Sequence, residues 1–293
     1  MSDQAEQLRK IMSSTKQVVD KQTSMKIITI ASGKGGVGKS NFVVNLALCL
    51  QQQNKNPIIL DADFGLANVE IILGERPKYN LSHLIKGECE LKDLISKSKY
   101  NLSFISGGSG INEMIFLPKH KIEEIGKSLA QLEDMTDILL IDTGAGINDV
   151  VLKFCMLAHE IYIIVTPEPT SITDAYALIK TLTNMFTAQL SIKIVINKAA
   201  AKEEAYQVFH KLYYVSKSFL NTEIEYVGFI PYDDTVLNAV KKQVPVFLFD
   251  KKSKASQAYY AISKNLCGDN KNQAIASEEK VSWITKFKRI FSN

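Results

Sequence analysis

The sequence lacks the paired cysteines that would build a disulfide framework or a metal site. Its four cysteines occur singly among apolar neighbours, without a Cys-x-x-Cys pair and without a nearby histidine. We interpret them as buried free thiols of a protein in a reducing compartment. They are Cys49, Cys89, Cys155 and Cys267.

Long apolar runs and a strong charge of one sign are missing as well. No run approaches the roughly 18 residues that cross a bilayer, and the polar first twenty residues do not resemble a signal peptide. The net charge of +4 is too mild to demand a nucleic-acid partner. With 46% hydrophobic and 23% charged residues, we expect a cytoplasmic globular protein with a substantial core.

Short runs rich in β-branched residues recur along the chain, and longer segments with helical spacing lie between them. The runs are almost continuously hydrophobic, as expected of strands covered on both faces. They occupy residues 26–31, 57–61, 102–106, 137–142, 160–166, 192–197 and 226–231, and helices are predicted at 41–53, 173–188 and 203–220. The alternation predicts an α/β domain at 25–266, with a mostly parallel sheet and helices on both faces. It is flanked by a polar extension (1–24), a linker (267–280) and a terminal segment (281–293).

The stretch GKGGVGKS lies between a predicted strand and a predicted helix, the context in which a phosphate-binding loop is credible. Its glycines let backbone N–H groups converge on a phosphate, and the next helix adds the positive end of its dipole. Lys39 is expected to neutralise the β- and γ-phosphates, and Ser40 to ligate Mg²⁺. The predicted nucleotide-binding residues are Gly33, Lys34, Gly35, Gly36, Val37, Gly38, Lys39, Ser40 and Asn41.

Two later strands end in aspartates. Asp61 and Asp63 follow the run PIIL, and Asp142 ends the run DILLID, as in a Walker B motif. Ligands of open α/β sheets bind at the carboxyl ends of the strands, so Asp142 is expected to hold a Mg²⁺ water ligand. A plain turn-capping role for Asp142 is the alternative.

Lys34, the first lysine of GKGGVGKS, stands at the start of the loop and not at its end. It is therefore not expected to bind the nucleotide of its own subunit. The spacing resembles the deviant Walker A motif of MinD/ParA ATPases, a SIMIBI-type P-loop NTPase fold. This resemblance implies that Lys34 contacts ATP across a homodimer, that Asp63 positions the attacking water near the metal, and that Asn68 lies at the dimer face. A solvated role for Lys34 is the alternative.

The nucleotide base is predicted from a missing aspartate. In VINKAAAKE, Ala200 stands where a guanine-specific NKxD motif needs its aspartate, which favours adenine. The resemblance implies that Asn197 contacts adenine and that Pro231, Tyr232 and Asp233 close the pocket. The implied cofactors are ATP and Mg²⁺.

Longer phrases, including DADFGLANVEIILG and TPEPTSITDAYALIKTL, resemble the flagellar-number branch of the family, FlhG (also FleN or YlxH). In the second phrase we expect Ser171 or Thr173 to cap a helix whose buried stripe contains Ala175, Leu178 and Ile179. Without paired cysteines the chain does not match the iron–sulfur carriers of the family. Without a concentration of basic residues in the helices, direct contact with nucleic acid is not expected.

The polar extension contains DQAEQLRKIM, with apolar residues at helical spacing. FlhG proteins carry a similar element, which docks on the GTPase FlhF, of the signal-recognition-particle type, and stimulates it. The resemblance makes Gln4, Leu8 and Arg9 the candidate contacts. A dispensable terminal helix is the alternative.

The terminal segment VSWITKFKRIFSN has the pattern of a helix lying on an anionic membrane surface. The side chains predicted to enter the lipid are Trp283, Ile284, Phe287, Ile290 and Phe291. Each basic residue near such a surface contributes about 1 kcal/mol, so one short helix binds weakly and two on a dimer bind better. Packing of the helix back on the domain is the alternative.

With these features, the resemblance implies a slow ATPase that dimerises with ATP, binds the cytoplasmic side of the cell membrane reversibly and controls flagellar number or placement. Flagellar rotor (C-ring) proteins or a flagellar transcription activator are further candidate partners. Two other functions remain open: positioning of the division site or of a cargo, and a regulator in which the nucleotide only locks a shape.

Overall fold

The computed structural model describes residues 25–63, 68–108, 113–114, 117–185, 190–268 and 283–292. The predicted partner-binding residues Gln4, Leu8 and Arg9 lie outside the described residues, as does most of the predicted linker.

An eight-stranded sheet forms the centre of the domain, in the order β3-β4-β2-β5-β1-β6-β7-β8. All neighbouring strands are parallel except β3, which pairs antiparallel with β4 at one edge. The strands are β1 (Lys26–Ala31), β2 (Pro57–Ala62), β3 (Ser96–Lys97), β4 (Ser103–Ser106), β5 (Ile138–Thr143), β6 (Glu160–Val165), β7 (Ile192–Ala199) and β8 (Glu225–Pro231). The mostly parallel sheet and the seven predicted strands are thereby confirmed, whereas the two-residue β3 is too short to have a recognisable pattern.

Helices connect the strands. They are α1 (Lys39–Gln52), α2 (Asn68–Leu73), α3 (Leu81–Lys86), α4 (Leu91–Leu94), α5 (Lys119–Ala130), α6 (Asp149–Leu157), α7 (Pro169–Met185), α8 (Lys202–Leu220), α9 (Asp234–Lys241), α10 (Val246–Phe249), α11 (Lys254–Gly268) and α12 (Trp283–Phe291), with a 3₁₀ turn at Gln131–Asp134. Every residue of β2, β5 and β6 is buried, because helices cover both faces of the sheet.

The predicted cap of α7 is wrong, although its buried stripe is confirmed. The helix begins at Pro169, so Ser171 and Thr173 lie inside it. Ser171 Oγ instead accepts the backbone N–H of Thr166 at 3.0 Å, and Thr173 Oγ1 donates to the Pro169 carbonyl at 3.1 Å. Proline fits the first turn of a helix, where its missing N–H costs nothing, and the cap prediction overlooked this.

Three apolar clusters fill the space between the sheet and its helices. One face carries α1, α2 and α9 to α11. The other carries α3 to α6 with α12 in one cluster, and α7 with α8 in another. Of the cysteines, Cys49 and Cys155 are buried as expected, whereas Cys89 and Cys267 are only half-buried; all four are free thiols.

The terminal helix α12 packs against the domain, which was the alternative to a membrane helix. Trp283, Phe287, Ile290 and Phe291, four of the side chains predicted to enter lipid, are buried here. The Phe291 ring lies 5.5 Å from that of Phe154 in α6. Ile284, the fifth predicted lipid contact, is partly buried against the same cluster. Among the described helices, none is both long and apolar enough to cross a membrane.

Candidate active site

The phosphate loop leaves β1 and turns directly into α1. Gly38, the residue before the helix, has φ +97°, a conformation that glycine adopts without strain. No side chain caps this end of α1, so the first N–H groups of the helix remain available to an anion. Gly33 lets the phosphate loop lie close to α7, since a Cβ at this position would clash with the carbonyl oxygen of Asp174.

Lys39 is the lysine of this loop that faces its own site. Its side chain is buried, and its Nζ donates to Ser32 Oγ at 2.9 Å. Burial lowers the pKa of Lys39, while the charges of Asp142 and Asp63 oppose that effect. Ser32 Oγ in turn donates to the Lys34 carbonyl at 2.7 Å, which links the two ends of the loop.

Asp142 lies at the end of β5, next to Asp61 on β2 and Ile30 on β1. Its two carboxylate oxygens are buried and make no hydrogen bond within the usual geometric limits among the described residues. Burial raises its pKa to about 7, while the nearby Ser40 hydroxyl and Lys39 charge favour the ionised form. A buried carboxylate whose oxygens lack well-formed hydrogen bonds is costly unless a ligand satisfies it, which fits a metal-bound water.

Asp61 and Asp63 have different surroundings. Asp61 is buried, and its two oxygens accept the backbone N–H groups of Asp63 and Val69, each at 3.1 Å. Burial and the charge of Asp142 raise the pKa of Asp61 to about 8. Asp61 therefore holds the two ends of the loop between β2 and α2, whereas Asp63 accepts a hydrogen bond from Asn68 Nδ2 at 2.9 Å.

These groups fit a divalent cation beside a phosphate chain. The charges of Asp142 and Asp63 both act on the buried Lys39, and a hard cation beside them would favour the ionised form of Asp142. Ser40 lies in the first turn of α1, close enough to Asp142 to affect its pKa. When bound, Mg²⁺ would neutralise the phosphate oxygens, with Ser40 as ligand and Asp142 and Asp63 acting on its water ligands. In the described residues, no group of three or more His, Cys, Asp or Glu side chains could hold a metal ion by itself. Mg²⁺ commonly takes one or two carboxylates together with substrate phosphates instead.

The loop after β5 touches the phosphate loop. The Gly146 N–H donates to the Ser32 carbonyl at 3.0 Å, and Ala145 Cβ lies 3.7 Å from the position of a Cβ on Gly35. A Cβ on Gly144 would lie 3.0 Å from Asp63 Oδ1. The two loops and Asp63 therefore surround one region, where a γ-phosphate could affect all three.

The predicted base contacts lie at the ends of β7 and β8. Asn197 is buried, and its Nδ2 donates to the Val37 carbonyl at 2.7 Å. Tyr232 is 56% exposed, as expected of a side chain that could cover a base, and it follows Pro231. Asp233 caps α9 through Thr235 N–H at 2.9 Å, so its carboxylate has a structural use already.

Lys34 is directed away from Lys39 and towards the first turn of α7. Its Nζ lies 2.5 Å from Glu168 Oε2 and donates to Thr170 Oγ1 at 2.8 Å. The two members of the pair are 35% and 58% exposed. Both the role across a dimer and that of a solvated surface lysine remain open for Lys34 at this position.

The structure brings the predicted phosphate, metal and base residues to one edge of the sheet, with Asn68 beside Asp63. Their roles towards nucleotide and partner remain predictions. Sequence reasoning missed Ser32, Glu168 and Thr170, whose contacts join distant segments. It named Asp61 but not its function of holding the two ends of a loop.

Comparison with known proteins identifies the family to which the chain belongs. The family model described as "ParA: NUBPL iron-transfer P-loop NTPase" matches residues 23–267. The chain is 40% identical over 242 residues to the antiactivator FleN of Pseudomonas aeruginosa, covering 83% of this chain and 86% of that protein. It is 32% identical over 234 residues to the flagellum site-determining protein YlxH of Helicobacter pylori, covering 78% of each.

Solved structures share the fold. A chain of the MinC:MinD cell division protein complex of Aquifex aeolicus has 26% identity and a TM-score of 0.65, covering 87% of this chain and 98% of that one. The septum site-determining protein MinD of Pyrococcus horikoshii, complexed with Mg-ADP, has 22% identity and a TM-score of 0.67, covering 85% and 99%. With this sheet and phosphate loop, and with a family match along most of its length, the chain belongs to the ParA/MinD family of P-loop ATPases.

Proposed function

We propose that this protein is an ATP-dependent dimerising ATPase that associates with the membrane and regulates flagellar number or placement. The names of FleN and YlxH support the flagellar setting. ATP rather than GTP is the proposed nucleotide, because Ala200 replaces the aspartate that would recognise guanine. In this scheme ATP binding forms the dimer and hydrolysis resets it.

The observation that carries the dimer proposal is the position of Lys34. Lys39 lies beside Asp142 and Asp63, while Lys34 Nζ is held at the start of α7 by partners that are largely exposed. A lysine at this surface can reach the phosphates of a second subunit. Charge supplied in trans stabilises a phosphate only when the partner is docked, so assembly would depend on ATP.

Sizing chromatography with light scattering tests this step. In Mg·ATP, the Asp63→Ala variant is expected to form a stable dimer, because hydrolysis is slowed; in Mg·ADP it remains a monomer. Adding Lys34→Ala to this variant is expected to abolish the dimer but not ADP binding. Lys211→Ala, which removes an exposed lysine of α8, is the matched control. A monomer in saturating Mg·ATP for Asp63→Ala would contradict the proposal.

The proposed membrane association depends on α12. Trp283 is 5% exposed, and its Nε1 is buried without a hydrogen-bond partner among the described residues. An unsatisfied buried donor weakens the docked state, whereas an indole at a membrane interface can bond to water or headgroups. Release of α12 in the dimer would present two such helices to the membrane.

Stimulation of an FlhF-type GTPase is proposed through residues 1–24, with Gln4, Leu8 and Arg9 as contacts. A pull-down with such a GTPase, with and without residues 1–24, separates this function from division-site or cargo positioning, which needs no such segment. If only the full chain binds and stimulates GTP hydrolysis, the flagellar function is supported. Equal binding without the segment would contradict it.

An experiment in cells distinguishes this ATPase cycle from a regulator in which the nucleotide only locks the protein in one shape. There, flagella are counted in a strain that carries only the Asp63→Ala variant. Normal flagellation with this locked dimer would favour the pure regulator. Abnormal number or placement would support a cycle that needs hydrolysis.

A further inference from the structure

Two consecutive residues at the end of β7 hold the phosphate loop by its carbonyl groups. Asn197 Nδ2 donates to the Val37 carbonyl at 2.7 Å, and Lys198 Nζ donates to the Gly36 carbonyl at 2.8 Å. Asn197 Oδ1 also accepts the backbone N–H of Lys198 at 2.9 Å. Adjacent peptide groups of the loop are therefore bound from outside.

The backbone at Lys198 is specialised for this contact. Its φ is +59°, in the left-handed region that lysine rarely adopts. It also lies at a register irregularity between β7 and β8, between Asn197 and Ala199, and such irregularities redirect a side chain. Strained positions persist where the surrounding structure requires them.

We propose that Lys198 is a positioning residue of the nucleotide site, which keeps the Gly36 carbonyl group turned away from the phosphates, as Asn197 does for the Val37 carbonyl. A phosphate loop binds through N–H groups that point inwards, so its carbonyls must point outwards. The flexible peptide at Gly36, where φ is +74°, could otherwise rotate and present an oxygen to the phosphate. A cationic donor on that oxygen fixes the binding orientation. Lys198 acts through the loop and touches no reacting atom.

This assignment explains why the chain keeps the Asn-Lys part of the guanine motif without its aspartate. The Asn197 amide and the Lys198 ammonium are both bound to the phosphate loop. Ala200, at the aspartate position, has no side-chain polar group to read a base. The pair therefore serves the phosphate side of the site, and losing Lys198 should leave the base preference unchanged.

The experiment measures binding of fluorescently labelled ADP to the full-length protein with Mg²⁺, and the KM and kcat of ATP hydrolysis. Lys198→Met removes the charge at similar length, and its Kd for ADP is expected to rise about tenfold, as for a lost hydrogen bond to a charged group. KM should rise in parallel while kcat changes by less than about twofold, because uniform binding is lost. Lys198→Arg, which keeps a donor, should remain within about threefold of the wild type. The matched control is Lys211→Met.

Lys198→Gly separates the side chain from the backbone. Glycine adopts the left-handed conformation without strain, so this variant should fold at least as well as the wild type and still show the weaker ADP binding. Unchanged ADP binding in the Met and Gly variants would overturn the proposal. So would an Arg variant as weak as Met, or a changed ratio of ATP to GTP affinity. The ADP measurement does not require a dimer, so its outcome is independent of the role of Lys34.

Discussion

Lys34 Nζ and Glu168 Oε2 lie 2.5 Å apart, although 134 residues separate them in the chain. The pair joins the start of the phosphate loop to the residue that precedes α7. It lowers the pKa of the Glu168 carboxyl, because the ammonium both donates a hydrogen bond and adds its charge. Dimerisation through Lys34 would have to exchange or share this contact.

The exchange should be easy, because both members of the pair are substantially exposed. We expect Glu168→Gln to change the concentration for half-dimerisation by no more than about fivefold, as is usual for surface ion pairs. The measurement is analytical ultracentrifugation in Mg·ATP with Asp63→Ala. Glu223→Gln, which removes a similar exposed pair with Lys217, is the control. Complete loss of the dimer in Glu168→Gln would show that Glu168 itself is essential at the interface.

Bulk added at Gly126 should displace α12. A Cβ at this position in α5 would lie 3.3 Å from Phe287 Cδ1, so Gly126→Leu overpacks the contact between α5 and α12. The single tryptophan, Trp283, is in α12, and its fluorescence emission should shift to longer wavelength as it enters water.

Displacement of α12 by Gly126→Leu should also increase binding of the protein to anionic lipid vesicles, measured by co-sedimentation. Lys127→Leu, a substitution of the exposed neighbour on the same helix, is the control. If the emission shifts but vesicle binding stays at the wild-type level, the apolar face of α12 does not bind the membrane, and the membrane proposal is contradicted.

His159 should make stability fall in mild acid. Its Nδ1 accepts the Ile27 N–H at 2.9 Å. Burial lowers its pKa to about 4, with help from the charges of Lys286 and Lys26 and against that of Glu160. Since the unfolded pKa is near 6.5, the unfolded chain binds the extra proton first. The contribution is therefore complete above that value and is lost as pH falls towards 4.

We expect His159 to account for a loss of roughly 2 kcal/mol in the free energy of unfolding between pH 7 and pH 5. Urea unfolding of the wild type and of His159→Asn, which keeps an acceptor for Ile27, measures it. Asp61 and Asp142 have raised pKa values and oppose this trend, so the informative quantity is the difference between the two proteins. Identical pH dependence would contradict the assignment.

Ala200→Asp should move the base preference towards guanine. The substitution completes the NKxD pattern, and a carboxylate that accepts the guanine N–H groups should raise the affinity for GTP relative to ATP by about tenfold. Competition between labelled ADP and unlabelled ATP or GTP measures the ratio. Ala201→Asp adds the same charge one residue later and is the control. A ratio unchanged in Ala200→Asp would mean that the base lies elsewhere.

Much of this architecture could be predicted locally. Strands covered on both faces are continuously apolar, so the runs ending at Ala31, Asp61 and Asp142 were recognisable without a partner. The phosphate loop is defined by the spacing of its glycines and lysines. Where local rules compete, the prediction failed: the caps chosen at Ser171 and Thr173 ignored the proline that starts α7.

The sequence by itself determined the α/β class, the phosphate loop and the aspartates at strand ends, because each depends on residues within a few positions of one another. Only the tertiary structure decided that Lys34 pairs with Glu168, that Lys198 reaches Gly36 and that α12 packs beside Gly126. These contacts join segments more than a hundred residues apart, and the order of the strands brings them together. A pattern of spacing along the chain has no record of that order.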